Sequence, residues 1–172
     1  DCSDGGLLVA VAEMALKGTP VRSDWLDAVA AVTFDATLDP AFRALCLRLP
    51  GEDDLAQTIH AMGRIPDPAK IHAARREMAG ALSIRLGEGL HRLYKDLDDN
   101  APFSPSADQA GRRALKIAAL QLLTRRDGGK LAASAFARAR SMTEEIGALA
   151  ALLDVHQGEK ELVAFAARWG RD

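Results

Sequence analysis

The sequence has 172 residues, enough for one ordinary domain with a true hydrophobic core. Hydrophobic residues make up 48% and aromatics only 5%, with Ala and Leu prominent, a mix that favours helices over strands and argues against disorder. The formal net charge of −2 argues against a basic nucleic-acid binder, and no apolar run reaches the roughly eighteen residues that a membrane span needs.

The chain opens on Asp1-Cys2-Ser3-Asp4, a polar start without Met that reads as a cut inside a longer protein. No signal peptide is visible, so a cytoplasmic location is the expectation, although such a signal would lie upstream. Residues 7–16 then form an apolar-rich helix ended by Gly18 and Pro20. Ser23 or Asp24 can cap a second helix over 25–34. Asp39-Pro40 reads as an N-cap followed by Pro at the first helical position, where its missing N–H costs nothing. That third helix is expected to run to about residue 49 and to stop at Pro50, and a fourth covers 52–62.

After a linker, Asp67-Pro68 repeats the cap-plus-Pro signal and opens the longest periodic stretch. Ile71, Ala74, Met78, Leu82, Leu86, Leu90, Leu93 and Leu97 recur at spacings of three or four. They form one apolar stripe on a helix over 67–99, roughly 45 Å long. Gly80, Gly87 and Gly89 weaken this helix, and a bend or break is expected near Gly87.

Residues 100–105 form a loop. Ser106 or Asp108 starts the next helix, with Ala110, Ala114, Leu115, Ala118, Leu122 and Leu123 facing inward. Asp127-Gly128-Gly129 turns the chain into a short helix over 131–139. Ser141 or Thr143 caps the next, whose apolar face is Ile146, Leu149, Leu152 and Leu153. Gln157-Gly158 separates a final helix with Leu162, Phe165, Ala166 and Trp169 inward. No stretch alternates as a strand would. The expected fold class is all-α: about eight to nine helices stacked as antiparallel pairs in a HEAT/armadillo-like superhelix. The chain reads as one helical domain over 1–172, with short helices in 1–62, the long helix in 67–99 and helix pairs in 106–169. There is no strict sequence repeat, so the solenoid reading rests on helix spacing alone.

Chemistry is sparse. His60, His72, His91 and His156 offer no pair at a spacing of three or four, so no helix face presents two imidazoles to one metal. His156-Gln157-Gly158-Glu159 partly mimics an inverted zinc motif, but Lys160 stands where a second His is needed. Ser104 and Ser106 lie in a Pro-containing loop without a nucleophile elbow. Cys2 and Cys46 are far apart, and Cys46 sits in an apolar helix as an inert buried thiol would. Asp96, Asp98 and Asp99 cluster at a helix C-terminus, where they read as solvated loop charges. Gly128-Gly129 is a turn, since no phosphate-loop Lys-Ser/Thr follows. The pairs Arg75/Arg76, Arg112/Arg113 and Arg125/Arg126 read as solvated or ion-paired helix faces.

One segment says more. Residues 102–116, PFSPSADQAGRRALK, resemble a stretch of bacterial-type aminopeptidase N in which a Tyr/Phe-Ser-Pro loop precedes Ala-Gly-Arg-Arg-Ala-Leu-Arg-Asn. Downstream, Ala139-Arg140-Ser141-Met142-Thr143-Glu144 stands where the family has Ala-x-Asn-Met-Thr-Asp, and Arg168-Trp169 matches a closing Trp. Upstream, Asp39-Pro40-Ala41 leading to Leu47-Arg48-Leu49-Pro50, and Ile71-His72-Ala73-Ala74-Arg75 leading to Leu93-Tyr94, resemble its Asp-Pro-Ala…Leu-Pro segment and long helix. The likeness covers about 19–169, and the segment from Arg112 to Thr143 is its specific part. Lys116-Ile117 replaces the usual Arg-Asn, and Ala166 stands where an aromatic is common.

The resemblance implies the C-terminal helical domain of an M1-family zinc metallopeptidase that removes N-terminal residues from peptides. In that family zinc is held by a His-Glu-x-x-His helix and a later Glu, far upstream of the matched region. No catalytic, cofactor-binding or metal residue is therefore expected here, and zinc belongs to the presumed parent. The implied partners are the upstream catalytic domain of the same polypeptide and the parent's peptide substrates, with no nucleic acid and no membrane. The implied role is packing on that domain and helping enclose its active-site chamber. The alternative is a stand-alone helical-repeat interaction module.

Overall fold

A computed structural model describes residues 6–98 and 102–170. Among the described residues there are nine helices and no strand: α1 (Gly6–Lys17), α2 (Ser23–Phe34), α3 (Pro40–Cys46), α4 (Glu52–Ala61), α5 (Pro68–Asp96), α6 (Ala107–Asp127), α7 (Lys130–Arg138), α8 (Met142–Asp154) and α9 (Glu159–Trp169). The all-α helical-repeat expectation holds, and among the described residues no helix is long and apolar enough to cross a membrane.

The helix starts follow local chemistry. The Asp39 carboxylate accepts from the amides of Ala41 and Phe42 at 2.8 and 3.1 Å, and Asp67 from Ala69 and Lys70 at 3.0 and 3.3 Å. Each satisfies amide donors that the first turn leaves without helical partners. Ser106 and Ser141 cap α6 and α8 by accepting from Gln109 and Glu144, so Asp108 and Thr143 lie inside their helices. Neither Ser23 nor Asp24 caps α2. Both sit in its first turn, the N-cap is Arg22, and the Asp24 carboxylate takes the Arg22 guanidinium instead. α3 ends at Cys46, short of residue 49, because the Leu47 amide tightens the last turn onto Ala44 and the chain then extends towards Pro50.

α5 runs unbroken through Gly87, where a bend or break was expected. Two of its glycines, Gly87 and Gly89, serve close approach. The Arg126 side chain lies across Gly87, and a Cβ on Gly89 would stand 2.3 Å from Cζ of Phe34. The stripe from Ile71 to Leu97 is buried apart from Leu93, which is half-buried.

Two apolar clusters share α5. α1, α4 and the first turns of α5 enclose Val11, Leu55, Ile59, Ile71 and Met78. The rest of α5 joins α2, α3, α6, α7 and α8 around Leu82, Leu90, Leu115, Leu123 and Leu149, and half-buried Trp25 and Leu49 touch both clusters. α6 is the hub, packing on α3, α5, α7 and α8. Small and hydroxyl residues let it come close: Ser83 Oγ on α5 donates to the Leu122 carbonyl on α6 at 2.7 Å, fully buried. A Cβ on Gly111 would stand 3.0 Å from the backbone nitrogen of Ala41 on α3.

Several inward assignments fail. Ala110 and Ala114 are exposed, while Ala119 and Leu120 are buried, because α6 has neighbours on several sides. Ile146 and Leu153 of α8 are 49% and 46% exposed. α9 has no buried residue: Leu162, Ala166 and Trp169 are exposed and Phe165 is half-buried, since α8 is the one described helix that packs substantially against it.

Candidate functional site

Two of the segments that carry the resemblance, 102–116 and 139–144, come together at one corner, where the loop after α5 and the turn before α8 meet the first half of α6. Helical spacing puts Gln109, Arg113 and Lys116 on one side of α6. The Arg113 guanidinium lies over the Phe103 ring, 4.7 Å from its centre, and donates to the Ser104 carbonyl at 2.9 Å. Gln109 closes the loop, its Oε1 accepting from the Ser104 amide at 2.8 Å and its Nε2 donating to the Pro102 carbonyl at 3.2 Å.

One turn on, Lys116 Nζ donates to Asp98 at 2.6 Å and to Glu144 at 3.4 Å, and stands 5.7 Å from the centre of the Tyr94 ring. The other Glu144 oxygen accepts from the Arg140 amide at 2.9 Å. Shallow cavities of about 160 and 200 Å³ flank Lys116.

The electrostatics are those of a clamp. The Lys116 hydrogen bond holds the Asp98 carboxyl below the usual carboxylate range. Burial alone would depress Lys116, but the hydrogen bond and charge of Asp98, with Glu144, more than offset it and raise it. Burial raises the Tyr94 phenol despite Lys116 beside it. All three groups move away from neutrality, the reverse of what a general acid or base requires. The corner ties α5, α6, α8 and the intervening loop together.

The other candidates are scattered. His60 ends α4, His91 lies late in α5, and His156 sits in the turn after α8 with φ of 58°. His72 Nδ1 meets Glu52 at 2.9 Å across α4 and α5, and this contact lowers the Glu52 carboxyl. Among the described residues no three His, Cys, Asp or Glu gather as metal ligands would. Ser104 Oγ accepts from the Ser106 amide at 3.2 Å, and Ser106 is spent on its cap. Asp98 is the Lys116 partner, Asp96 is exposed, and Asp99 lies outside the described residues, as does Cys2. Cys46 is half-buried, because α3 ends there.

All three Arg pairs have an anchored member, Arg113 on its loop as described. Arg75 donates to the Pro50 carbonyl at 2.7 Å and pairs with Glu52 at 3.4 Å, and Arg125 meets Asp154 on α8 at 2.6 Å. The ion-paired reading holds for Arg75 and Arg125.

Three buried polar residues escaped the sequence reading. Glu145, 2% exposed, accepts from Arg168 and, at 2.6 Å, from Trp169 Nε1, so it holds α9 to α8. Arg43, 7% exposed, donates from Nε to the Thr33 carbonyl at 2.9 Å. The Thr33 hydroxyl is buried without a partner. The signal for two of them was register: Glu145 shares the stripe of Ala148, Leu149 and Leu152, and Arg43 that of Ala44 and Leu47.

Compared with known proteins, residues 6–172 match a family described as a domain of unknown function (DUF3458_C) with ARM repeats. Aminopeptidase N of Caulobacter vibrioides is 36% identical over 150 residues, covering 84% of this chain and 17% of that protein. A crystal structure of Legionella pneumophila aminopeptidase A in complex with aspartic acid is similar with a TM-score of 0.78, over 96% of this chain and 21% of that one. At 19% identity that second likeness is one of fold. The chain spans 17% and 21% of these two relatives.

Proposed function

The chain belongs to the DUF3458_C family of ARM-repeat domains, and from that premise we propose that it is a non-catalytic helical domain of a zinc-dependent aminopeptidase. It packs on the catalytic domain of the same polypeptide and helps enclose the chamber in which N-terminal residues are removed from peptides. The observation that carries this reading is the 36% identity to an aminopeptidase N over most of the chain. The geometry is in keeping with it. The corner at Lys116 has its cation paired and its loop tied down, which suits a positioning element. The exposed Met142, Ile146, Val163 and Trp169 on α8 and α9 suit a domain that a neighbour covers. In this reading zinc is held by the catalytic domain, and no step runs through it in this chain.

The test is a mixing experiment. The catalytic portion of an aminopeptidase polypeptide that carries this domain is expressed separately, and the 172-residue chain is added. Co-elution is recorded, with hydrolysis of a short aminoacyl substrate and of a longer peptide. Association that changes the ratio of the two rates is the expected result. Hydrolysis by the chain alone with zinc supplied, or no association, would overturn the proposal.

A further inference from the structure

Away from the clamp, α2, α3, α5 and α6 border an open groove of about 900 Å³. Arg43, Arg85, Arg92, Arg112 and Arg126 line it against two carboxylates, Glu88 and Asp96. Arg85 is held by Asp27 at 2.7 Å. Arg92 and Arg126 are exposed and carry no ion pair among the described residues. Arg43 stands at the base of the groove: it is 7% exposed overall, Nε is fixed on the Thr33 carbonyl, and the remaining guanidinium nitrogens reach solvent with no hydrogen-bond partner among the described residues. A guanidinium has five donors, so these nitrogens are left to meet a carboxylate.

The groove also has an apolar side. Phe34 is 41% exposed and Ile84 is 77% exposed. Gly87 and Gly89 make the channel possible, because Arg126 and Phe34 lie directly on the α5 backbone where a Cβ would displace them.

We propose that this groove docks an acidic peptide segment in which an apolar side chain is flanked by carboxylates. The carboxylates take Arg126, Arg92 and the unmatched nitrogens of Arg43, and the apolar side chain rests on Phe34 and Ile84. Arginine suits this task because its planar fork meets a carboxylate with two parallel bonds. A nucleic-acid strand fits less well, since its phosphates recur at every step and would meet Glu88 and Asp96. A peptide can carry carboxylates opposite the arginines and neutral residues elsewhere. The inference goes beyond the aminopeptidase reading and stands whether or not that reading does.

The test is a fluorescence-anisotropy titration of the whole chain with a labelled synthetic peptide alternating Glu with Leu and Phe. Its Gln twin and a single-stranded oligonucleotide serve as competing probes. The Glu peptide is expected to bind at least about tenfold more tightly than the Gln twin, and to weaken as salt rises. The exposed double variant Arg92→Gln/Arg126→Gln should bind about tenfold more weakly while keeping the wild-type helical circular dichroism. Arg43→Gln tests the donor at the base of the groove, and the exposed pair keeps the proposal testable if that variant fails to fold. Equal binding of the Glu and Gln peptides, no binding of the Glu peptide, tighter binding of the oligonucleotide, or unaltered affinity in the double variant would each overturn it.

Discussion

α5 and α9 carry the same kind of sequence signal and meet opposite fates. Both have apolar residues at helical spacing. The stripe of α5 is enclosed by helices on several sides, whereas α9 leans mainly on α8 and buries nothing fully. Periodicity states which face of a helix is apolar. It does not state how many neighbours are present to cover that face. The sharpest test is therefore a matched pair of truncations. Leu90 is 0% exposed and Leu162 is 44% exposed. Leu90→Ala is expected to cost about 2–5 kcal/mol, through lost transfer energy and an unfilled cavity. Leu162→Ala should stay within about 0.5 kcal/mol of wild type. Urea denaturation followed by circular dichroism measures both, and a comparable loss at Leu162 would break the comparison.

The next effect concerns backbone contact. On α6, Gly111 faces the backbone of Ala41, which cannot swing aside as a side chain can. Gly111→Ala should destabilise the chain by about 1–3 kcal/mol, with α3 and α6 forced apart. Thermal unfolding of this variant reads the result directly. A neutral outcome would mean that the approach of α3 to α6 is slack.

That glycine also marks where the sequence was legible and where it was not. Asp39-Pro40, Asp67-Pro68, Ser106 and Ser141 announced four helix starts, because capping is chemistry between near neighbours. The α5 stripe was readable for the same local reason. Gly87 was read as a weak point because its neighbour Arg126 is distant in sequence, and nothing local says that a missing side chain is filled from elsewhere. The segments 102–116 and 139–144 were visible as a pattern. Their meeting at Lys116 was not, since Asp98, Lys116 and Glu144 come from three separate segments. Glu145 could have been found, as a carboxylate in an apolar register, had its stripe been counted through to its first residue.

Glu145 gives the third test. Its bonds to Arg168 and Trp169 are the polar hold on a helix with little apolar hold. Glu145→Gln keeps an acceptor for the indole but turns an uncharged amide towards the guanidinium. The expected cost is about 1–2 kcal/mol, confined to α9. Limited proteolysis should then cut within residues 159–169 before the rest of the chain, while the main urea transition stays in place. A cut distributed over the whole chain would mean that α9 unfolds together with the core.

Gly80 supplies the opposite sign. It lies inside α5 with nothing within 4 Å of an added Cβ. Gly80→Ala should stabilise the chain by about 0.5–1 kcal/mol, mainly by restricting the unfolded state. A raised melting temperature is the expected reading, and a loss would mean that the open side of α5 is occupied in solution.

The smallest effect is the pH response of the clamp. Asp98 is held below its ordinary value of 3.8 by Lys116, so its contribution is complete above that value and is lost as pH falls through the lower folded one. Lys116 is raised above its ordinary 10.5 by Asp98 and Glu144 against the effect of burial. Its contribution is complete below 10.5 and is lost as pH rises through the higher folded value. The pair therefore supports the fold across the whole neutral range and weakens only at the two extremes. The Asp98 side chain is 42% exposed, so solvent screening keeps its share below about 1 kcal/mol. Asp98→Asn should lower stability slightly at pH 7 and flatten the acid limb of the stability curve, with the variant and wild type converging below the folded value of Asp98. If the acid limb keeps its wild-type slope, the ammonium is held mainly by Glu144, and the clamp ties α6 to α8 more than to α5.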